Sequence, residues 1–180
     1  MSKPKQPPKV KLIASIFSPE EVYITKAIQD LSDLLGPIDW ISELIPFNRT
    51  KYYEREMGWP IVRRFVSFEA LVDPVEITDI KLKTNQLENK YSVDNKRLVN
   101  IDPGYIALER LVLATGKNYT HRIYLRDGIY ADLTLIFYKG SFSPLSWTYP
   151  DYKEDRLIQW FNKVREKYKD QLRGIMCQKA

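Results

Sequence analysis

Apolar residues recur every three or four positions in three segments of the chain, and each segment follows a helix-start signal. The signals are Ser18-Pro19-Glu20-Glu21, which is typical of a capping box, Asp73-Pro74-Val75-Glu76 and Asp151-Tyr152-Lys153-Glu154. The pattern predicts three helices. The first ends at Gly36-Pro37, the second carries its apolar stripe to Tyr91, and the third continues to near Gly174. A shorter helix is predicted from Thr50 to Met57.

Between these helices, apolar residues alternate with polar ones or form short runs, as they do in strands. The predicted strands cover residues 10–17, 38–47, 61–68, 97–101, 111–115, 121–126 and 129–138. Asp127-Gly128, between the last two, is typical of a two-residue hairpin turn. The order of elements predicts an α+β fold with a ferredoxin-like split βαβ start and a mostly antiparallel sheet extended by the β-hairpin. Helices pack on this sheet, and the C-terminal helix is amphipathic.

Composition limits the class of protein. The chain has 180 residues, of which 44% are hydrophobic and 13% aromatic, and this excludes a disordered chain. One cysteine and one histidine exclude a disulfide framework and a zinc site. No apolar run approaches the length needed to cross a bilayer, and the amino end carries no secretory signal. We therefore expect a cytoplasmic protein without a membrane partner.

The net charge of +5 is concentrated at the amino end, where four lysines and no acid lie within the first eleven residues. Residues 1–9 are predicted to form a flexible Lys/Pro-rich arm, and residues 10–176 a single α+β domain. The arm is a candidate contact for RNA. The nearly balanced charge of the remaining chain argues against a broad nucleic-acid surface.

Familiar nucleotide-binding and catalytic motifs are absent from the sequence. The segment nearest to a P-loop is Gly116-Lys117-Asn118, with Leu111 where the first glycine belongs and Asn118 where the magnesium-binding hydroxyl belongs. No G-x-G-x-x-G follows a predicted strand, and no G-x-S-x-G occurs. The single histidine also excludes a two-histidine phosphoesterase.

The predicted hairpin brings the histidine close to a carboxylate. With the turn at Asp127-Gly128, Ile123 opposes Asp132 and His121 opposes Thr134, so that His121 lies diagonal to Asp132. A carboxylate that orients an imidazole is the arrangement of a general base, and His121 and Asp132 are therefore the candidate catalytic pair. The alternative is a histidine that packs against the sheet with a satisfied hydrogen bond.

Several basic and polar residues are candidates for binding an anion. Positions 81, 85 and 88 share one edge of the second helix, and consecutive arginines at 63 and 64 must point to opposite faces of their strand. The candidate ligand-binding residues are Arg64, Lys81, Asn85, Glu88, Arg97, Arg122 and Tyr124. A solvated helix face and a structural ion pair are the alternatives for the helix and the arginines.

Asn100 to Tyr105 is predicted to be a turn, because it contains Pro103 and Gly104. Such a turn would hold Asp102 as an exposed carboxylate, which makes Asp102 the candidate ligand for a magnesium ion if a metal is needed. A turn with no ligand is the alternative. The aromatic segments 52–59 and 147–152 would stack on a base or sugar, or cover the open end of the sheet.

Short segments spread over nearly the whole chain form a set that occurs together in one family. They include Arg64-Phe65-Val66-Ser67-Phe68-Glu69, Asn100 with Asp102-Pro103-Gly104-Tyr105, His121-Arg122-Ile123-Tyr124-Leu125 and Trp147-Thr148-Tyr149-Pro150-Asp151-Tyr152. With these segments the chain resembles the prokaryotic domain of unknown function 4416. The resemblance implies no established activity and assigns no catalytic residue, although some members are labelled GTP-binding proteins.

We therefore expect a protein that binds an anionic, phosphate-bearing small molecule, such as a nucleotide, in a cleft between the sheet and a helix. Arg64, Arg97 and Arg122 would hold the anion together with Lys81 and Asn85. The sequence leaves open whether chemistry follows binding. The alternative is an RNA-binding or protein-interaction module without catalysis, and the oligomeric state also stays open.

Overall fold

The computed structural model describes residues 2–47, 57–94 and 96–178. Within these residues there are three α-helices and eleven β-strands. The helices are α1 (Glu21–Leu35), α2 (Ile77–Lys90) and α3 (Asp155–Gln178), and single 3-10 turns at Pro74–Glu76 and Pro150–Lys153 precede α2 and α3. The strands are β1 (Val10–Ser18), β2 (Ile38–Ile41), β3 (Ile45–Pro46), β4 (Val62–Val72), β5 (Ser92–Val93), β6 (Lys96–Arg97), β7 (Asn100–Ile106), β8 (Arg110–Thr115), β9 (Arg122–Arg126), β10 (Ile129–Tyr138) and β11 (Ser141–Pro144).

Nine of the described strands form one sheet, in the order β11-β10-β8-β7-β1-β4-β2. β3 also pairs with β4, β9 also pairs with β10, and β5 and β6 form a separate small ribbon. Every described pair is antiparallel. The predicted α+β class with a mostly antiparallel sheet and a C-terminal helix is confirmed. The ferredoxin-like description of its start stays a prediction.

The helices cover both faces of the sheet, and every residue of the central strand β1 is buried. Leu12 and Ile16 belong to a core cluster with buried residues of α1 and α2, whereas Ile13 belongs to a second cluster with Phe161 and other residues of α3. The fold therefore has three layers, with α1 and α2 on one face of the sheet and α3 on the other. None of the helices in the described ranges is long and apolar enough to span a bilayer.

The three predicted helix starts have different outcomes in the structure. Ser18 is not a helix cap: it is the last residue of β1, where it pairs with Val62, and α1 begins at Glu21. Because Ser18 is paired in the sheet, it does not serve as the N-cap of the predicted capping box. At the second start, the Glu76 side chain accepts a hydrogen bond from the Asp73 backbone N–H (2.8 Å), as predicted. α3 begins four residues later than predicted because a 3-10 turn precedes it, and it extends beyond Gly174.

The predicted turn at residues 100–105 is wrong, because these residues form most of β7 and pair with β1. Gly104 serves a close approach of strands here, since a Cβ atom at this position would lie 2.5 Å from the Val112 carbonyl oxygen of β8. The predicted strand at 38–47 is interrupted between β2 and β3. Positions 50–56 of the predicted short helix, Thr50 to Met57, lie outside the described residues.

β9 and β10 form the predicted hairpin. Asp127 and Gly128 have φ angles of 52° and 76°, as both central residues of a type I′ turn require. A β-bulge after the first pair, however, shifts the rest of the register by one residue, so that Arg122 rather than Ile123 opposes Asp132. The predicted pair of Arg126 with Ile129 is confirmed, whereas the predicted pairs beyond the bulge are wrong by one position.

Candidate functional site

β7 and β8 separate at one end of the sheet. Their last pair is Gly104 with Leu113; beyond it, residues 100–103 of β7 pair with β1 alone among the described strands, and residues 114–115 of β8 pair with β10. A cleft of about 780 Å³ lies at this gap and is lined by residues of both strands. Its volume is within the range of small-molecule binding sites.

α2 closes one side of the gap with side chains that replace a strand neighbour. Glu88 Oε1 accepts the backbone N–H of Ile101 (2.7 Å), and Lys81 Nζ donates to the Ile101 carbonyl oxygen (2.9 Å). Asn85 lies between them on the same helix face, lines the cleft, and makes no hydrogen bond with any described residue. The predicted edge of α2 is therefore part of the cleft, and two of its three side chains also support β7.

Glu88 is the most deeply buried acid of this face. Burial raises the pKa of Glu88, and the positive charge of Lys81 and the hydrogen bond from Ile101 only partly oppose the shift. Arg97 Nη1 donates to Glu88 Oε2 (2.9 Å) and to Asn100 Oδ1 (3.3 Å). Arg97 thus joins α2 to the start of β7 at the cleft, where the sequence predicts a binding residue.

Arg63, and not Arg64, points into the cleft from β4. Arg63 is 3% exposed; its guanidinium donates from Nε to Ser15 Oγ (2.6 Å) and from Nη2 to Tyr152 Oη (3.1 Å), and it pairs with Asp151 through Nη1. Burial lowers the pKa of Arg63, but its interactions with Tyr152 and with the Asp151 carboxylate outweigh this effect and raise it overall. This arginine is therefore held in place by protein groups on all three of its nitrogens.

Arg64 lies on the opposite side of β4, as the alternation of a strand requires. It donates to the Ser42 carbonyl oxygen (2.7 Å) and to Glu21 Oε1 (2.9 Å), and it is not among the residues that line the cleft. The structure does not bring Arg64 to the other candidate residues. Its place is taken by the arginine that precedes it in the sequence.

The candidate catalytic pair is in contact. His121 Nε2 lies 3.2 Å from Asp132 Oδ2, and the same oxygen accepts a hydrogen bond from Arg122 Nε (2.8 Å). Asp132 lines the cleft, but His121 does not: its ring stacks on Trp147, with a centroid separation of 5.2 Å. Only the carboxylate of the pair is in direct reach of a molecule in the cleft.

Arg122 forms hydrogen bonds to two loops that line the cleft, one after β8 and one after β11. Its Nη1 donates to the Lys117 carbonyl oxygen (3.0 Å) and its Nη2 to Tyr149 Oη (2.9 Å). Trp147 belongs to the same segment after β11, and its Nε1 donates to the carbonyl oxygen of Leu133 in β10 (2.8 Å). Residues 149–152 thus form one wall of the cleft, and both predictions for the aromatic segment at 147–152 stay open. Residues 52–56 of the other aromatic segment lie outside the described part of the chain.

Of the two remaining candidate residues, the structure places Asp102 in the cleft and Tyr124 outside it. Asp102 lines the cleft with its side chain 33% exposed; its Oδ2 accepts from Asn100 Nδ2 (2.9 Å), and its Oδ1 lies 3.5 Å from Lys81 Nζ. The described residues contain no group of three or more acidic, histidine or cysteine side chains that could hold a metal. A magnesium ion at Asp102 would take its remaining ligands from water or a bound molecule. Tyr124 is exposed and lies outside the cleft.

Cationic side chains slightly outnumber acidic ones in the cleft. Among the described lining residues, five are basic (Arg63, Lys81, Arg97, Lys117 and Arg122) and four are acidic (Glu88, Asp102, Asp132 and Asp151). Aromatic rings of Phe17, Phe47, Tyr149 and Tyr152 complete the lining. The cleft combines paired charges with apolar walls, which is typical of sites for small polar ligands.

One family profile, described as a domain of unknown function (DUF4416), matches residues 8–168. The chain belongs to this family. No curated protein and no solved structure matches the chain. All the residues that line the cleft lie within the matched DUF4416 range.

Several cleft residues of this DUF4416 protein are absent from the sequence-based candidates, among them Arg63, Lys117 and Tyr149. Arg63 was missed because alternation along β4 does not say which of two consecutive arginines lies inward. Lys117 and Tyr149 stand in loops after β8 and β11, where no periodic pattern assigns a direction. The basic Gly116-Lys117 and the aromatic run at 147–152 were nevertheless visible signals in the sequence.

Proposed function

We propose that this DUF4416 protein binds a phosphate-bearing small molecule, such as a nucleotide, in the cleft between β7 and β8. The observation that carries the proposal is the gap in the sheet, which is large enough for such a ligand and is lined by converging cationic and aromatic side chains. Basic groups in a partly buried site favour phosphate, and aromatic walls favour a base or sugar ring.

The roles proposed for single residues follow from their hydrogen bonds. Asn85 has no partner among the described residues and offers both a donor and an acceptor to the ligand. Lys117 is exposed at the rim and supplies charge to the phosphate. Arg63 and Arg122 shape the walls, because each of their nitrogens already donates to a protein oxygen.

We also propose His121 and Asp132 as the acid–base pair of any reaction that the bound molecule undergoes. The support is the contact between the two side chains and the position of Asp132 in the cleft. Asp102 is proposed as the magnesium ligand if the phosphate is bound with a metal. The family resemblance and the single free cysteine support a prokaryotic cytoplasmic setting.

The first test is a thermal-unfolding panel of nucleotides, sugar phosphates and inorganic phosphate, with and without magnesium. A ligand at a hundred times its dissociation constant adds about 2.7 kcal/mol of stability, which raises the unfolding midpoint by roughly 5–10 °C for a chain of this size. We expect at least one phosphate compound to produce such a shift. A panel without any shift would contradict the proposal.

Two variants locate the ligand in the cleft. Asn85→Ala and Lys117→Ala should each weaken the response by about tenfold in dissociation constant or more, because each removes a group that we assign to ligand contact. Lys163→Ala is the matched control, since Lys163 is an exposed lysine of α3 outside the cleft. A shift that survives both cleft variants would place the ligand elsewhere.

RNA binding is the second candidate function. It is favoured by the exposed amino-terminal residues 2–9, which include three lysines, and by exposed aromatic side chains outside the cleft, such as Tyr119 and Trp147. Because this function depends on the arm rather than the cleft, truncation of the arm separates the two proposals.

A further inference from the structure

The two edges of the nine-stranded sheet have different surroundings. At the β2 edge, Lys167 of α3 donates to the Asp39 carbonyl oxygen (2.7 Å), and Trp40 packs against Trp160 of the same helix (6.1 Å). At the other edge, β9 pairs with β10, and no described strand pairs with its outer side. One edge is therefore covered by a helix, whereas the other has an outer side without a strand partner.

The open edge is apolar. Ile123, Tyr124 and Leu125 are consecutive residues of β9, and they are 69%, 58% and 39% exposed. Tyr119 and Trp147 are further exposed aromatic side chains, and both pack on His121 next to β9. Natural edge strands that face water are usually protected by charges or by a covering segment, because they otherwise pair with another chain.

The two arginines of β9 do not provide this protection, because acidic side chains of the same chain compensate their charge. Arg122 Nε lies 2.8 Å from Asp132 Oδ2. Arg126 contacts Asp79 (2.6 Å) and Asp127 (2.5 Å) through its two terminal nitrogens. β9 thus presents an apolar centre between two neutralised ends, and like charges do not prevent a second copy of the strand from approaching.

We propose that β9 pairs with β9 of a second copy of this chain, antiparallel and about a two-fold axis, so that one sheet continues across a dimer. The strand Arg122-Ile123-Tyr124-Leu125-Arg126 has the same order of residue types from either end: basic, aliphatic, aromatic, aliphatic, basic. Antiparallel pairing of such a strand with itself places its apolar centre against an identical centre. A two-fold interface requires this self-complementarity, and pairing also satisfies backbone groups of both edges.

The test is the mass of the full-length protein in solution, measured by light scattering and sedimentation at increasing concentration. We expect the wild-type chain to reach twice the 21.2 kDa of one chain. Ile123→Lys places a charge in the centre of the proposed interface and should raise the dimer dissociation constant by about tenfold or more. Because Ile123 is exposed, we expect the variant to keep the circular dichroism spectrum of the wild type.

Ile41→Lys is the matched control, because Ile41 is a 48% exposed isoleucine of β2 at the opposite edge. It should leave the dimer intact. Tyr124→Lys repeats the test at the neighbouring position and should act like Ile123→Lys. A wild-type chain that stays monomeric at every concentration would overturn the proposal, as would a dimer that persists in both β9 variants. Equal loss of the dimer in Ile41→Lys would overturn it too.

Discussion

Consecutive arginines at positions 63 and 64 show how much the surroundings of one side chain differ from those of the next. Arg63 is buried against the rings of Phe47 and Phe65, whose centroids lie 4.9 and 4.5 Å from its guanidinium carbon, and all of its nitrogens are bonded. Arg64 is partly exposed and pairs with Glu21, which is itself half exposed. A buried ion pair that loses one partner leaves an uncompensated charge, whereas an exposed pair contributes little.

We therefore predict that Arg63→Ala lowers the free energy of unfolding by about 3–5 kcal/mol, because it leaves Asp151 without its partner next to the core. Arg64→Ala should change it by about 1 kcal/mol or less. Urea titration of both variants at pH 7 measures the two values, and Arg64→Ala is the control for loss of an arginine from the neighbouring position of the same strand. Similar losses in the two variants would show that burial does not decide between them.

For single residues, the sequence predicts which types of side chain line the cleft, but it does not always predict which position supplies them. Alternation establishes that the two arginines of β4 point apart, but which one lies inward depends on the register of β4 against β1. The contact between His121 and Asp132 was predicted from a register that is wrong by one residue. It forms nevertheless, because Arg122 takes the opposing position and the histidine ring, one residue away, still reaches the same carboxylate.

Among the elements, β7 differs most from its prediction. Its Pro-Gly pair is typical of a turn when only neighbouring residues are considered. In the structure Gly104 lies within the strand, where β8 approaches too closely for a side chain. Leu113 Cδ2 would also lie 2.7 Å from a Cβ atom at this position. The requirement for glycine comes from a strand distant in sequence, and local turn rules do not include it.

We predict that Gly104→Ala destabilises the protein by about 1–3 kcal/mol, because the added methyl group pushes β7 and β8 apart where they last pair. Gly174→Ala is the matched control: no atom lies within 4 Å of a Cβ atom there, and the position is inside α3. It should stabilise by up to about 1 kcal/mol. Thermal unfolding of both variants gives the comparison, and a Gly104→Ala midpoint at or above that of the wild type would contradict the prediction.

Elements with a strong repeat were predictable, and those that depend on neighbours were not. The stripe of α2 and the edge formed by Lys81, Asn85 and Glu88 follow from the helical repeat alone, and all three side chains line the cleft. The start of α1 was misplaced because Ser18 is a good cap by sequence but is paired in β1. Pairing partners of this kind are set by the tertiary fold and leave no local signal.

For the whole molecule, the class and the presence of a sheet with helices could be derived from the order of elements, but the position of the cleft could not. The cleft exists because β7 and β8 stop pairing at Gly104. Nothing in the sequence of either strand marks this point. The cleft lies at a gap within the sheet, and α2 borders it on one side.

The amino-terminal arm provides a prediction for the whole chain. Residues 2–9 are exposed, and among the described contacts of this arm is the Lys9 carbonyl oxygen, which accepts a hydrogen bond from Tyr168 Oη (2.7 Å). Deletion of residues 2–8 should therefore leave the unfolding midpoint within about 2 °C of the wild type. If the chain binds RNA through the arm, loss of Lys3 and Lys5 should make the salt dependence of binding shallower by about 1.4 in log–log slope.

Filter binding to single-stranded RNA at several salt concentrations measures that slope, with a Lys163→Ala variant as the control for loss of a lysine outside the arm. An unchanged slope after deletion would exclude the arm as an RNA contact. A midpoint lowered by much more than 2 °C would show that the arm is part of the folded domain.

The hydrogen bonds at Ile101 have a practical consequence for spectroscopy. The amide proton of this residue is held by a side-chain carboxyl oxygen of Glu88, whereas strand amides are ordinarily held by backbone carbonyl oxygens. Its resonance therefore depends on the position and charge of Glu88 more directly than the resonances of amides bonded within the sheet. In a proton–nitrogen correlation spectrum, the Ile101 signal is a natural probe next to the cleft, because Ile101 lies between the lining residues Asn100 and Asp102 and its amide is bonded to Glu88.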